Sequence, residues 1–160
     1  GVTSPLMVNA MLALSIIGIM IGAYVSARKS INSVRVNNIY TGSTTITVCA
    51  ILVPIIATLS FIPNSTALII ISTLILLFGI GAGMMLVPLN ALIQAHSAKD
   101  GLGGVLAGKN WIQNMAMIGL LLLTVLLARS NVNSVYILYL NALIAVVGFT
   151  VVLKRLKAIL

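Results

Sequence analysis

The chain has 160 residues, 61% of them hydrophobic and only 6% charged, whereas a soluble domain carries about 25% charged residues. That composition excludes a water-covered globule and makes lipid the solvent for most of the chain. Nine Lys and Arg stand against one acid, Asp100, for a formal net charge of +8, but these cations lie between long apolar runs rather than on a solvated face, which argues against nucleic acid as a partner.

In chain order, the start GVTSPLM has neither an initiator Met nor a basic n-region. It is not a signal peptide and reads as a cut into a longer chain. Residues 5–27 form the first uncharged run. It holds Asn9 in its outer part and Gly18 and Gly22 four residues apart. After the break RKSINSVRVNN and a Thr/Ser-rich stretch, residues 46–62 form the second run, with Cys49 and Pro54 inside it. A lone cysteine in an apolar run reads as a small core side chain. The break PNS leads to residues 67–95, longer than one span, with Gly79, Gly83, Pro88, Asn90 and Gln94. Next comes HSAKDGLGG. Gly101, Gly103, Gly104 and Gly108 follow no strand, so they predict a flexible loop and a close-packed start to the next helix, not a phosphate loop. Residues 111–128 form the fourth run, with Asn110, Gln113 and Asn114 at its start. RSNVNS separates it from residues 135–153, which hold Asn141 and end in a basic tail.

A helix crossing the hydrocarbon core needs ~20 apolar residues, within a range of about 17–25. Five runs meet that requirement. In lipid only a helix satisfies its own backbone, and the alternating short segments of a strand barrel are absent from the sequence. The expected fold is therefore an all-α membrane protein with five transmembrane helices. If all five cross, Arg28, Lys29, Arg35, Lys99, Lys109, Lys154, Arg155 and Lys157 fall on one side and only Arg129 on the other. The positive-inside rule then makes the tail cytoplasmic and the start external.

Small and polar residues carry the remaining information. The pairs Gly18/Gly22 and Gly79/Gly83 put small residues on one helix face and let a neighbouring helix approach, within one protein or between two copies. Pro88 marks a kink or hinge near the cytoplasmic end of the third helix. Asn90 and Gln94 share a face, as do Asn110, Gln113 and Asn114, with Trp111 turned aside. A polar group in hydrocarbon is expensive unless bonded, so these amides should face other helices or a water-filled path. They are either interhelical bonds or the cytoplasmic half of a substrate path. His96 reads as a loop histidine. One acid and one histidine, no nucleophile-elbow serine and no metal-ligand cluster give no expectation of an enzyme, a cofactor or a metal. HSAKD has one residue too few for an acyltransferase H-x-x-x-x-D signature.

The stretch GAGMMLVPLNALIQAHSAKDGLGGVLAGKNWIQNMAM, residues 81–117, resembles the C-terminal half of the bacterial lysophospholipid transporter family, a branch of the major facilitator superfamily. VPLNALIQ is similar to the inner end of that family's tenth helix, KNWIQNMAM to its amide-rich eleventh, and VNAMLALSIIGIMIGAYVSA to its eighth. The family usually has an acid where Gln113 stands. In the superfamily's loop motif Gly22, Arg28, Lys29 and Arg35 are present, but Ser26 replaces the acid. The resemblance implies helices eight to twelve of a twelve-helix transporter, here part of its C-terminal six-helix bundle, with the N-terminal helices of the same transporter as partners. It implies movement of lysophospholipids, such as lysophosphatidylethanolamine, from the outer to the inner leaflet of the bacterial inner membrane. An acyltransferase with acyl-carrier-protein synthetase activity would re-acylate them there. The competing expectations are an exporter of drugs or small metabolites in the same superfamily and a membrane scaffold module without transport.

Overall fold

The computed structural model describes residues 5–29, 36–59, 63–97 and 101–157. They form five helices: α1 (Pro5–Lys29), α2 (Val36–Thr58), α3 (Asn64–His96), α4 (Leu102–Arg129) and α5 (Ser134–Lys157). All five are long and apolar enough to cross a membrane, and the chain is an all-helical membrane protein. Arg35, Lys99 and Asp100 lie outside the described residues.

Two helices start well before the sequence-based boundaries. α2 begins at Val36 rather than at residue 46, and it ends at Thr58 rather than at 62. Its Thr/Ser-rich stretch is helical because each hydroxyl finds a carbonyl one turn back: Thr41 Oγ1 donates to Asn37 O at 3.1 Å, Thr44 to Tyr40 O at 2.9 Å, Thr45 to Thr41 O at 2.8 Å and Thr47 to Ser43 O at 2.9 Å. In water such side chains compete with the helix; in lipid the i−4 bond is where they go. α4 begins at Leu102 rather than at 111, so Gly103, Gly104 and Gly108 are helical rather than part of a flexible loop. A glycine that would end a helix in water keeps helical hydrogen bonds where no water can replace them. Nor do these glycines form a close-packed entry, since a Cβ added at any of them, or at Gly101, would meet nothing within 4 Å.

Packing is organised around α3, which lies against both α1 and α2, while α5 packs on α2. The sequence GIGAG, residues 79–83, makes this possible. Gly79 and Gly83 face α1: a Cβ on Gly79 would strike the Ser15 carbonyl, and one on Gly83 the Ile19 carbonyl. Gly18 and Gly22 reciprocate against the Leu76 and Ile80 carbonyls. Gly81, half a turn away, faces α2, where a Cβ on Gly42 would sit 2.6 Å from the Gly81 carbonyl. A helix without side chains on two opposite faces lets two neighbours approach to backbone contact. That close packing is the force available in lipid, where burying a leucine gains little. Accordingly the buried apolar residues are few: Ile39, Cys49, Leu74 and Ala142. Farther along, Tyr40 and Phe149 join α2 to α5 with ring centroids 6.2 Å apart. α4 meets the other helices sparsely and has no buried residue.

Candidate functional site

Two polar features stand out against the apolar helices. The first surrounds Pro88. Proline has no N–H, so the carbonyl four residues back, that of Met84, loses its intrahelical donor. The Ser26 hydroxyl of α1 donates to that carbonyl at 3.2 Å, and Asn38 Nδ2 of α2 donates to Ser26 Oγ at 3.2 Å. Ser26, Asn38 and Pro88 are all buried. Three helices thus meet at one carbonyl freed by one proline, and α3 continues helical beyond it to His96. Ser26 here serves as a hydroxyl donor. Asn38, which the sequence places in a break, lies inside α2.

The second feature is a single side-chain bond between α3 and α4, two helices that otherwise scarcely touch. Lys109 Nζ donates to Asn90 Oδ1 at 2.6 Å, and both residues are half-buried. Asn90 continues the helical stripe of Gly79 and Gly83, eleven and seven residues further along α3. The same stripe therefore packs on α1 in the middle of α3 and bonds the α4 lysine near the C-terminal end of α3. Gln94 lies one helical turn beyond Asn90 on α3, and Gln113 one turn beyond Lys109 on α4. Gln94, Asn110, Gln113 and Asn114 are exposed. Among the described residues no hydrogen bond joins the five amides to one another. The structure ties Asn90 to α4 through Lys109, a residue that the sequence marks only as a basic loop position.

Beyond Gln113 the same face of α4 turns apolar. Met117, Leu120, Leu121 and Thr124 follow at helical spacing and, with Ile118, form an open apolar surface on α4. A second, narrower cavity of 160 Å³ lies among α2, α3 and α5, between Cys49, Leu74, Phe78, Leu138 and Asn141. His96 is the last residue of α3 rather than a loop residue, and its Nδ1 lies 3.0 Å from the Leu92 carbonyl. No group of three His, Cys, Asp or Glu side chains that could hold a metal ion exists among the described residues. No protein family, curated protein or solved structure matches the chain.

Proposed function

We propose that the chain is the C-terminal part of a major facilitator transporter that moves lysophospholipids from the outer to the inner leaflet of the bacterial inner membrane, with its C-terminus in the cytoplasm, and that it is not an enzyme. One observation carries the reading: a single face of α4 runs from a cation and amides near its N-terminal end to an open apolar surface farther along. A single-chain phospholipid has the same order of parts, a polar headgroup joined to one hydrocarbon tail. A polar side chain inside a span is most economically explained by a water-filled or substrate-filled path. α4, unburied along its whole length, is then the wall of that path, and the preceding helices of the same transporter form the opposite wall. An acyltransferase with acyl-carrier-protein synthetase activity is the partner that consumes the delivered lipid.

The test is uptake. The gene encoding this chain is expressed in spheroplasts that lack their own lysophospholipid transporter, and conversion of labelled lysophosphatidylethanolamine into diacyl lipid is followed. Asn110→Ala and Asn114→Ala are expected to reduce uptake about tenfold or more at normal membrane abundance, the effect of removing hydrogen-bonding groups from a polar path. Full uptake by both variants would make the amides helix-packing groups. No uptake by the parent gene would overturn the substrate assignment.

A further inference from the structure

Lys109 differs from the other cations whose side chains the structure describes. Arg28 is one residue from the end of α1 and stands over the Tyr24 ring, 6.0 Å from its centroid. Arg129 is the last residue of α4, and Lys154 lies in the last turn of α5. Lys109 is the eighth residue of α4, about 10 Å of helix from Leu102. Its only hydrogen-bond partner among the described residues is the neutral oxygen of Asn90. An amide oxygen satisfies one of the three ammonium protons and none of the charge. No Asp or Glu is present among the described residues, and the whole sequence holds a single acid against nine Lys and Arg. A helical cation with no carboxylate partner among the described residues is suited to a ligand that brings the negative charge with it.

The neighbours say which kind of anion. Gln94 lies one helical turn from Asn90, Gln113 lies one turn from Lys109, and Asn110 adjoins Lys109 in sequence. Their carboxamide N–H groups donate to oxygens but add no charge, so the cluster as a whole offers one positive charge and several neutral donors. That set suits a phosphodiester, which carries one negative charge on two free oxygens; lysine binds phosphate as a point charge and the amides supply direction. From Lys109 to Thr124 the face covers about 22 Å of helix, all of it apolar or weakly polar beyond Gln113. We propose that Lys109 anchors the phosphodiester of a single-chain lipid, with the tail along Met117, Leu120 and Leu121, and that Asn90 holds the ammonium when no lipid is there. On binding, the Lys109 ammonium exchanges the Asn90 oxygen for a phosphate oxygen, and no proton moves. The proposal rests on the transport reading and adds to it the group that selects the substrate.

Trp111 makes the test direct. It is the sole tryptophan of the chain, two residues from Lys109, and exposed. The whole transporter in maltoside micelles, which contain no phosphate, with any tryptophan other than Trp111 replaced by Phe, is titrated with lysophosphatidylethanolamine bearing a brominated acyl chain, and quenching of Trp111 is read. A brominated monoacylglycerol of the same chain length supplies the tail without phosphate, and glycerophosphoethanolamine supplies the phosphodiester without a tail. Lys109→Gln is expected to raise the half-quenching concentration of the phospholipid at least about tenfold, within the range of one charge-assisted hydrogen bond. Its monoacylglycerol curve should be unchanged, which also shows that the variant is folded. Lys109→Arg should stay near the parent, as should Lys154→Gln.

Identical phospholipid curves for the parent and Lys109→Gln would overturn the anchor while leaving the uptake result to stand by itself. Equal quenching of the parent by phospholipid and monoacylglycerol would overturn phosphate selection. Displacement of the brominated lipid by glycerophosphoethanolamine at the lipid's own half-quenching concentration would overturn the role of the tail and leave a site for soluble phosphodiesters. Lys109-dependent binding without any uptake would sink transport and keep the site.

Discussion

A proline inside a lipid-embedded helix leaves a carbonyl without its donor, and whatever replaces the lost N–H influences how the helix bends. At Pro88 the replacement is the Ser26 hydroxyl, held in turn by Asn38. Ser26→Ala should therefore lower the Tm of the purified chain, and Pro88→Ala should relieve the need for Ser26 by restoring an N–H at position 88. In the Pro88→Ala background the Ser26→Ala penalty is expected to shrink by about 0.5–1.5 kcal/mol, between the mean for a hydrogen bond in a membrane and the range for an orphaned buried carbonyl. Equal penalties in the two backgrounds would show that Ser26 does not serve that carbonyl. Pro88 and Ser26 are each conspicuous in the sequence, but the bond between them is not. They lie on different helices, and Ser26 and Met84 are 58 positions apart, so only the parallel packing of α1 on α3 reveals which carbonyl the hydroxyl reaches. Lys109 was hidden for a related reason. With α4 expected to start at 111, a lysine at 109 counts as a loop charge; with α4 starting at 102, it is a charge inside a helix.

Helix number and order were readable from run lengths, because about 20 apolar residues without charge have one stable form in lipid. Helix starts were not, because the usual stop signals of Thr, Ser and Gly are calibrated on chains whose backbone can bond to water. The glycines also divide by element in a way that composition does not reveal. Gly22 and Gly83 sit at backbone contact, whereas Gly104 and Gly108 in α4 meet nothing within 4 Å. Gly83→Leu should destabilise the protein by about 1–3 kcal/mol or more, since the side chain would strike the Ile19 carbonyl and adjacent backbone of α1, which have no rotamer to change. Gly104→Ala should leave Tm unchanged or raise it slightly, by up to about 1 kcal/mol of helix propensity. The comparison is made by thermal melting of both variants in one detergent. If Gly83→Leu melts with the parent protein, the close contact of α1 with α3 is wrong.

At the scale of the whole molecule, the lopsided distribution of charge predicts which end faces the cell interior. A fluorescent protein fused after Leu160 should be bright and an alkaline phosphatase there inactive. Alkaline phosphatase inserted at Asn131, in the turn between α4 and α5, where φ is 55°, should be active. The reverse pattern would turn the chain over and put Lys109 on the other leaflet. The placement of α4 was the part least readable in advance, since no run length or glycine spacing says which neighbour a helix lacks. The glycine contacts of α3 have one more consequence, a mechanical one. Where two backbones touch with no side chain between them, nothing is left to compress or re-rotamerise, so α1, α2 and α3 share their degrees of freedom and translate as one block. With Cys49 replaced by Ser, nitroxides at Ala13 on α1 and Ile51 on α2 should then keep a single separation, while the distance from either to Leu122 on the sparsely packed α4 is broader.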